Sequence, residues 1–262
     1  MGEAKFSAAE NARALNDPAY QQALFLEAYE QTCLQLKDGG TGNDIPALNG
    51  INKDRNETIG QVAAAFASEN SAECGSGCSF CCHQMVLCTP FEIFDIARQL
   101  LATRSTIEIA DIKGRLAVRA QLPLDEQSRR GADKPCVLLE DHRCSVYEHR
   151  PSLCRTMLST SRAACEASLA SDEQTVPFIP EPVVISFLMQ LGIDYALIEQ
   201  RHLSTEKVEM SRALLIALEN YEAAFAIWMG GEDAFPNCHP ERGSGPSNHD
   251  LTQMAAVQSG LA

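Results

Sequence analysis

Cys74-Gly-Ser-Gly-Cys78-Ser-Phe-Cys81-Cys82-His83 sets four thiols and an imidazole within ten residues. A second set, Cys136, Cys144, Cys154 and Cys165, follows with seven, nine and ten residues between its members. Thiolates are the soft ligands by which proteins hold zinc and iron–sulfur clusters. Cys78 and Cys81 have the C-x2-C spacing that brings two sulfurs to one tetrahedral ion across a tight turn. The chain has 11 cysteines, an odd number, so complete internal pairing is impossible. Eight thiols in two blocks therefore read as metal ligands and not as a disulfide framework.

Gly75 and Gly77 let the backbone bend between Cys74 and Cys78. Cys81 and Cys82 are adjacent, and neighbouring side chains diverge, so the pair is poorly placed to share one mononuclear centre. Two four-thiolate centres, or one polynuclear cluster with spare thiols, both fit the spacing. Zinc and iron fit it equally. Arg150 and Arg155 bracket Cys154; they either favour its thiolate form or are ordinary salt-bridge formers. His83 is read as neither ligand nor support, and Cys88 as lying outside the set. Cys238-His239 is a weaker candidate.

The elements that must position these thiols are mostly helical. Asp17-Pro18 reads as a helix start, with Gly39-Gly40 as its stop. Leu26, Tyr29, Cys33 and Leu36 share one face, which makes Cys33 a core thiol. Residues 39 to 57, rich in Gly, Asn and Asp, read as a loop, and a helix over about 57 to 68 leads into the first cysteine block. Its Gly-Gly-Thr-Gly lacks the Gly-Lys-Ser/Thr of a phosphate loop. Thr89-Pro90-Phe91-Glu92 is a capping-box start, followed by an apolar face at Ile93, Phe94, Ala97 and Leu100. A further helix begins near Thr106 and ends before Pro123. Cys136 to Tyr147 reads as a short β-hairpin around a Glu140 to Arg143 turn that brings Cys136 and Cys144 together. Pro182 to Gln190 is an apolar helix ending at Gly192. A long helix from about Ser204 carries Leu214, Leu218, Tyr221, Phe225 and Trp228 on one seam up to Gly230-Gly231.

The expected fold is mainly α, a helical domain built around a cysteine-rich loop and a short hairpin that form a metal module. Its expected divisions are 1–70 (N-terminal helices and loop), 71–170 (cysteine module), 171–231 (C-terminal helices on the same domain) and 232–262 (a poorly ordered tail). With 21 Lys and Arg against 35 Asp and Glu, the formal charge is -14, which repels a phosphate backbone, so no nucleic-acid partner is expected. Met1 to Asn16 lacks the basic and apolar regions of a signal peptide, and no long uninterrupted apolar run predicts a membrane span. A cytoplasmic location, where thiols stay reduced, is the expectation.

Cys-x3-Cys-x2-Cys-Cys-His, Pro135-Cys136-x2-Leu139, Cys144-Ser-Val-Tyr147 and Arg150-Pro151-x2-Cys154-Arg155 together resemble the YkgJ-type cysteine-cluster family, the zinc- or iron-chelating CxxCxxCC domain. Ser161 and Cys165 resemble one branch of it. The likeness covers about residues 74 to 166. It implies a metal-binding protein that holds zinc or an iron–sulfur cluster, with metal ions as its partners. A related cysteine-cluster group includes flagellin lysine N-methylases, associated with an iron–sulfur cluster and S-adenosylmethionine. That leaves a cluster-dependent modifying enzyme as an alternative, although no glycine-rich signature for S-adenosylmethionine is present. A thiol redox or metal sensor is the third reading.

Overall fold

Apolar residues spaced three and four apart wind most of the chain into helices. The computed structural model describes residues 16–38, 44–125, 130–171, 174–240 and 248–261. Its α-helices are α1 (Pro18–Asp38), α2 (Ile45–Glu69), α3 (Pro90–Thr103), α4 (Thr106–Ala120) and α5 (Ser152–Thr156). They continue with α6 (Arg162–Ala167), α7 (Glu181–Arg201), α8 (Met210–Glu219), α9 (Tyr221–Met229) and α10 (Asn248–Gln258). Six two-residue strands form three antiparallel pairs: β1 (Leu87–Cys88) with β6 (Val208–Glu209), β2 (Leu139–Glu140) with β3 (Arg143–Cys144), and β4 (Leu158–Ser159) with β5 (Phe178–Ile179). The fold is mainly helical, as expected.

Helix α1 lies along α7 at close range. A Cβ at Gly192 would stand 2.2 Å from the Phe25 carbonyl oxygen, so only glycine lets the two backbones approach this far. Helix α7 is long and apolar enough by length and composition to cross a membrane, and most of its apolar stretch is buried inside the protein. Helix α8 packs on α3 and α4. Phe94 of α3 gathers Tyr221, Phe225, Trp228 and Phe235 around it at centroid separations of 5.2–5.8 Å. Such aromatic pairs add about 0.5–1.5 kcal/mol each beyond the area they bury. One core cluster runs from Leu36 through Phe91 and Leu100 to Leu138, Val146, Leu214 and Trp228. The cysteine-bearing segment thus shares its core with the helices on both sides.

Several sequence expectations need correction. Residues 45–57 are not loop: α2 starts at Ile45, because Leu48, Ile51, Arg55, Ile59, Val62 and Phe66 form one continuous buried face. Residues 39–43, with Gly39-Gly40, lie outside the described residues. Helix α7 does not end at Gly192, which instead serves the α1 contact. The seam from Leu214 to Trp228 belongs to two helices that begin at Met210 and Tyr221. Glu209 caps the first, and the Asn220 side chain accepts the Ala223 N–H to start the second. The segment after Glu232 is not a loose tail over its described part. Phe235 and Cys238 are buried, the Glu209 N–H donates to the Cys238 carbonyl at 2.7 Å, and α10 contacts α7 and α1.

Candidate metal centre

The eight candidate thiols lie on six short pieces of chain between the long helices α2 and α7. Helix α2 delivers the first block. The chain leaves it through Ser71, in the left-handed region at φ 51°. The Glu73 N–H then donates to the Ser159 carbonyl (2.9 Å), and the Ser159 N–H donates to Cys74 Sγ (3.2 Å). Gly77 takes φ 85°, and the Cys78 N–H closes a turn on the Gly75 carbonyl (3.0 Å). Cys81 and Cys82 lie in a single 3-10 turn, Phe80–His83. Helix α6, which carries Cys165, packs on that turn, with the Arg162 guanidinium 5.7 Å from the centroid of the Phe80 ring.

The second block is joined to the first through the backbone. The Cys136 N–H donates to the Cys82 carbonyl at 2.7 Å, and the Gly131 N–H to the His83 carbonyl at 3.2 Å. Two arginines on α4 hold this stretch. The buried Arg119 donates to the carbonyls of Lys134 (2.7 Å), Pro135 (3.2 Å) and Gln84 (3.2 Å), and Arg115 donates to that of Val137 (2.7 Å). Leu139 faces Cys144 across the β2–β3 ladder, whose turn residues Asp141 and His142 both have positive φ.

Cys154 sits on α5, whose N-terminus is fixed by a carboxylate sixty residues earlier in the chain. Glu92 accepts from the Ser152 N–H and hydroxyl at 2.8 and 2.7 Å, while its other oxygen accepts the Thr89 N–H at 3.0 Å as in a capping box. Arg55 of α2 lies 3.4 Å from the same carboxylate, and both side chains are buried. Burial alone would raise the Glu92 carboxyl. The Arg55 charge and the Ser152 and Thr89 donors outweigh it and leave Glu92 below the usual carboxylate range.

Burial first, and neighbouring sulfurs second, disfavour the thiolate form of Cys74, Cys136, Cys144 and Cys154. Cys74 is pushed up first by burial and also by Cys78, Cys81 and Cys165. Cys136 is pushed up to about 11, again chiefly by burial, with Cys144 adding to it. Cys154 rises well above the thiol range through burial and the charges of Cys136, Cys81, Cys144 and Glu92. Cys144 is raised by burial, against the Val146 N–H and the charges of Arg150 and Arg155.

Cys81 and Cys82 act on each other: the neighbouring Cys82 thiol is the main cause that lowers Cys81 to about 7, with Arg150 lowering it further, and Cys81 raises Cys82. The outlooks of the two sulfurs separate. Cys136 and Cys154 act on Cys82, whereas Cys81 acts on Cys74 of one group and on Cys144 and Cys154 of the other. Of the eight, Cys81 is the exposed one.

Five further groups were weighed from sequence. Cys33 is a buried core thiol, as read. Cys88 is fully buried beside Cys154 and Glu92, and burial drives it well up. Cys238 is buried against β6, and His239 faces Asp233 at 2.9 Å and the Lys207 carbonyl at 3.2 Å. His83 Nδ1 lies 3.2 Å from the Gly131 carbonyl, so this nitrogen carries the proton. Sequence reasoning missed Arg55 and Arg119. Each interrupts an apolar helical face (Leu48, Ile51, Arg55, Ile59; Ile112, Leu116, Arg119), which is the available sign of a charge buried on purpose.

Among the described residues, no three His, Cys, Asp or Glu side chains already stand in an arrangement that could hold a metal ion. The chemistry of the donors does fit one. The thiols are soft, crowded and partly desolvated. The Cys74 sulfur accepts the Ser159 N–H at 3.2 Å, the support that thiolate ligands commonly receive, and the Leu138 and Val146 backbones act on Cys136 and Cys144 in the same direction. Residues 73–175 belong to the CxxCxxCC family, described as a "putative zinc- or iron-chelating domain". No curated protein and no solved structure matches the chain.

Proposed function

We propose that this CxxCxxCC-domain protein holds zinc or iron through Cys74, Cys78, Cys81, Cys82, Cys136, Cys144, Cys154 and Cys165. The observation that carries the proposal is the backbone joining of cysteine-bearing segments distant in sequence: the Cys136 N–H donates to the Cys82 carbonyl at 2.7 Å, and the Ser159 N–H donates to Cys74 Sγ at 3.2 Å. A soft cation would take such thiols as thiolates, the ligand form.

The position of Cys81 between the two groups favours more than one metal ion per chain, with Cys81 at the junction. Cys74, Cys78 and Cys165 would serve one side, and Cys82, Cys136, Cys144 and Cys154 the other. A reducing compartment such as the cytoplasm keeps such thiols available. A role as a cluster-dependent enzyme would require iron–sulfur loading and binding of S-adenosylmethionine.

Anaerobic purification with elemental analysis and an absorption spectrum tests the proposal. A colourless protein with at least two zinc ions per chain, or iron and sulfide with a broad band near ~400 nm, is the expected result. Cys78→Ser and Cys144→Ser should each lower bound metal and the melting temperature. Metal-free wild-type protein that stays empty after anaerobic reconstitution, with all thiols titratable, would refute it. Calorimetry with S-adenosylmethionine then separates a metal-holding role from the enzymatic one.

A further inference from the structure

The turn of the β2–β3 hairpin carries a histidine where a glycine would cost the backbone less. Glu140 faces Arg143 across the ladder, so the loop is the two residues Asp141 and His142, at φ 47° and 59°. A two-residue turn with both residues in the left-handed region favours Asn-Gly. An L-residue at its second position strains the backbone, although histidine bears this better than most. Elsewhere around the candidate centre glycine takes the positive-φ positions, Gly77 at 85° and Gly131 at 143°. At the hairpin tip the imidazole is kept. His142 is exposed, and its Nδ1 lies 3.3 Å from Ser79 Oγ, a hydrogen bond between residues 63 apart in sequence.

Both ends of this contact sit at structurally sensitive points. Ser79 is buried and follows Cys78 directly, and its carbonyl accepts the Cys82 N–H at 2.9 Å, the bond that closes the turn bearing Cys81 and Cys82. The hairpin is a firm arm. Leu138 and Val146 at its base are buried, and the Ser145 N–H donates to the Leu138 carbonyl at 2.8 Å. Arg104, just past α3, donates to the Glu140 carboxylate at 3.0 Å. The backbone bonds already described tie down the first block near its ends, at Glu73-Cys74 and at Cys82-His83. The His142–Ser79 bond meets that block in its middle, between Cys78 and Cys81.

We infer that His142 is a positioning residue for the metal centre: its Nδ1 latches the hairpin tip to Ser79 and so holds Cys78 and the Cys81–Cys82 turn in place relative to Cys144. This rests on the metal-binding reading above and adds a residue, outside the eight thiols, that sets how readily they close on an ion. Order imposed before binding is order that the metal need not impose, so the contact acts on affinity. His142 works through Ser79 and is not itself a ligand.

The test uses full-length protein loaded with metal anaerobically: wild type, His142→Gly, His142→Asn, Ser79→Ala and the double variant of Ser79→Ala with His142→Gly. Each is titrated with a chelator, following the metal that remains per chain. Loss of one net hydrogen bond should lower the half-depletion concentration about threefold to tenfold in His142→Gly and in Ser79→Ala. The double variant should lose no more than either alone, because both changes remove the same contact. Asparagine tolerates the left-handed turn and sets an amide atom at the same bond distance from the backbone as Nδ1, but has nothing in place of Nε2. His142→Asn should therefore stay within about twofold of wild type. The melting temperature of chelated His142→Gly should lie within about 2 °C of wild type, since relief of the turn offsets the lost bond. Wild-type-like retention in Ser79→Ala, or loss in His142→Asn equal to that in His142→Gly, overturns the inference while metal binding itself stands; the second result would make the imidazole a ligand. Wild type that takes up no metal overturns the underlying reading, and the inference with it.

Discussion

The two cysteine blocks are built by opposite means. The first, residues 74–83, is held by its own turns, Cys78 to Gly75 and Cys82 to Ser79, and by bonds to Ser159, Cys136 and Gly131 near its two ends, and its 3-10 turn contains no buried residue. The second is anchored in the core. Val137, Leu138 and Val146 are buried beside Cys136 and Cys144, two arginines of α4 clasp the carbonyls around Cys136, and Glu92 fixes the helix that bears Cys154. A scaffolded half facing a lightly tethered half suits a site that one side presents and the other closes. Binding energy is then spent ordering the first block, while the second is already in place.

Stripping the metal gives the largest expected effect and strikes at this asymmetry directly. Structural zinc is worth on the order of 10 kcal/mol at neutral pH. Hydrogen exchange of chelated protein should show loss of protection over residues 75–83, with α3, α7 and α8 still protected and helical ellipticity little changed. Simultaneous loss across the helices would mean that both blocks depend on the metal alike.

Breaking the anchor of the second block should come next. Glu92→Gln leaves Arg55 buried without its carboxylate, at a cost of about 3–5 kcal/mol in urea unfolding of the metal-free protein. The same contact sets an acid limit. Glu92 is held below the usual carboxylate range, so the stability it contributes is present above the unfolded-state pKa and is lost as pH falls through the lower, folded value. Stability of Glu92→Gln should therefore fall less steeply in acid than that of wild type. Equal slopes would show that other carboxylates govern the acid limb.

Arg119→Met sharpens the comparison from the other end of the second block. The methionine can fill the apolar path of the side chain but leaves the carbonyls of Gln84, Lys134 and Pro135 short of a donor. A cost of about 1–3 kcal/mol is expected, with weaker metal retention because Cys136 loses its fixed approach to Cys82. A neutral result would place the ordering of this stretch in the Val137 and Leu138 packing instead.

Much of this contrast was legible in the residues, and the part that was not has a common cause. Thr89-x-x-Glu92 announced the start of α3, and Glu92 does accept the Thr89 N–H. Its second duty, at Ser152 and Arg55, depends on elements distant in sequence and could not be read locally. The thiols could be nominated as candidates from sequence because ligand chemistry is written in residue type. The loop misread over residues 45–57 came from weighting Asn, Gly and Asp composition above the periodic Leu48, Ile51, Ile59 pattern. Gly192 was taken as a stop because a glycine's close contact with another helix leaves no mark in its own neighbourhood. That Cys81 is lowered while Cys82 is raised escaped for a similar reason, since a single 3-10 turn, and not a strand or α-helix, holds the pair.

The smallest expected effect tests the first block on its own terms. Gly77 holds φ 85°, and nothing lies within 4 Å of where a Cβ would stand, so Gly77→Ala meets no steric neighbour and is penalised only through the backbone. The left-handed conformation costs an L-residue about 1–2 kcal/mol. If the first block is ordered chiefly by metal, that penalty should appear in metal retention and leave urea unfolding of the chelated protein unchanged, since the turn is then already free to relax. The opposite pattern, a destabilised metal-free protein with unaltered retention, would mean that the turn is fixed before metal arrives, and that the two blocks are scaffolded alike.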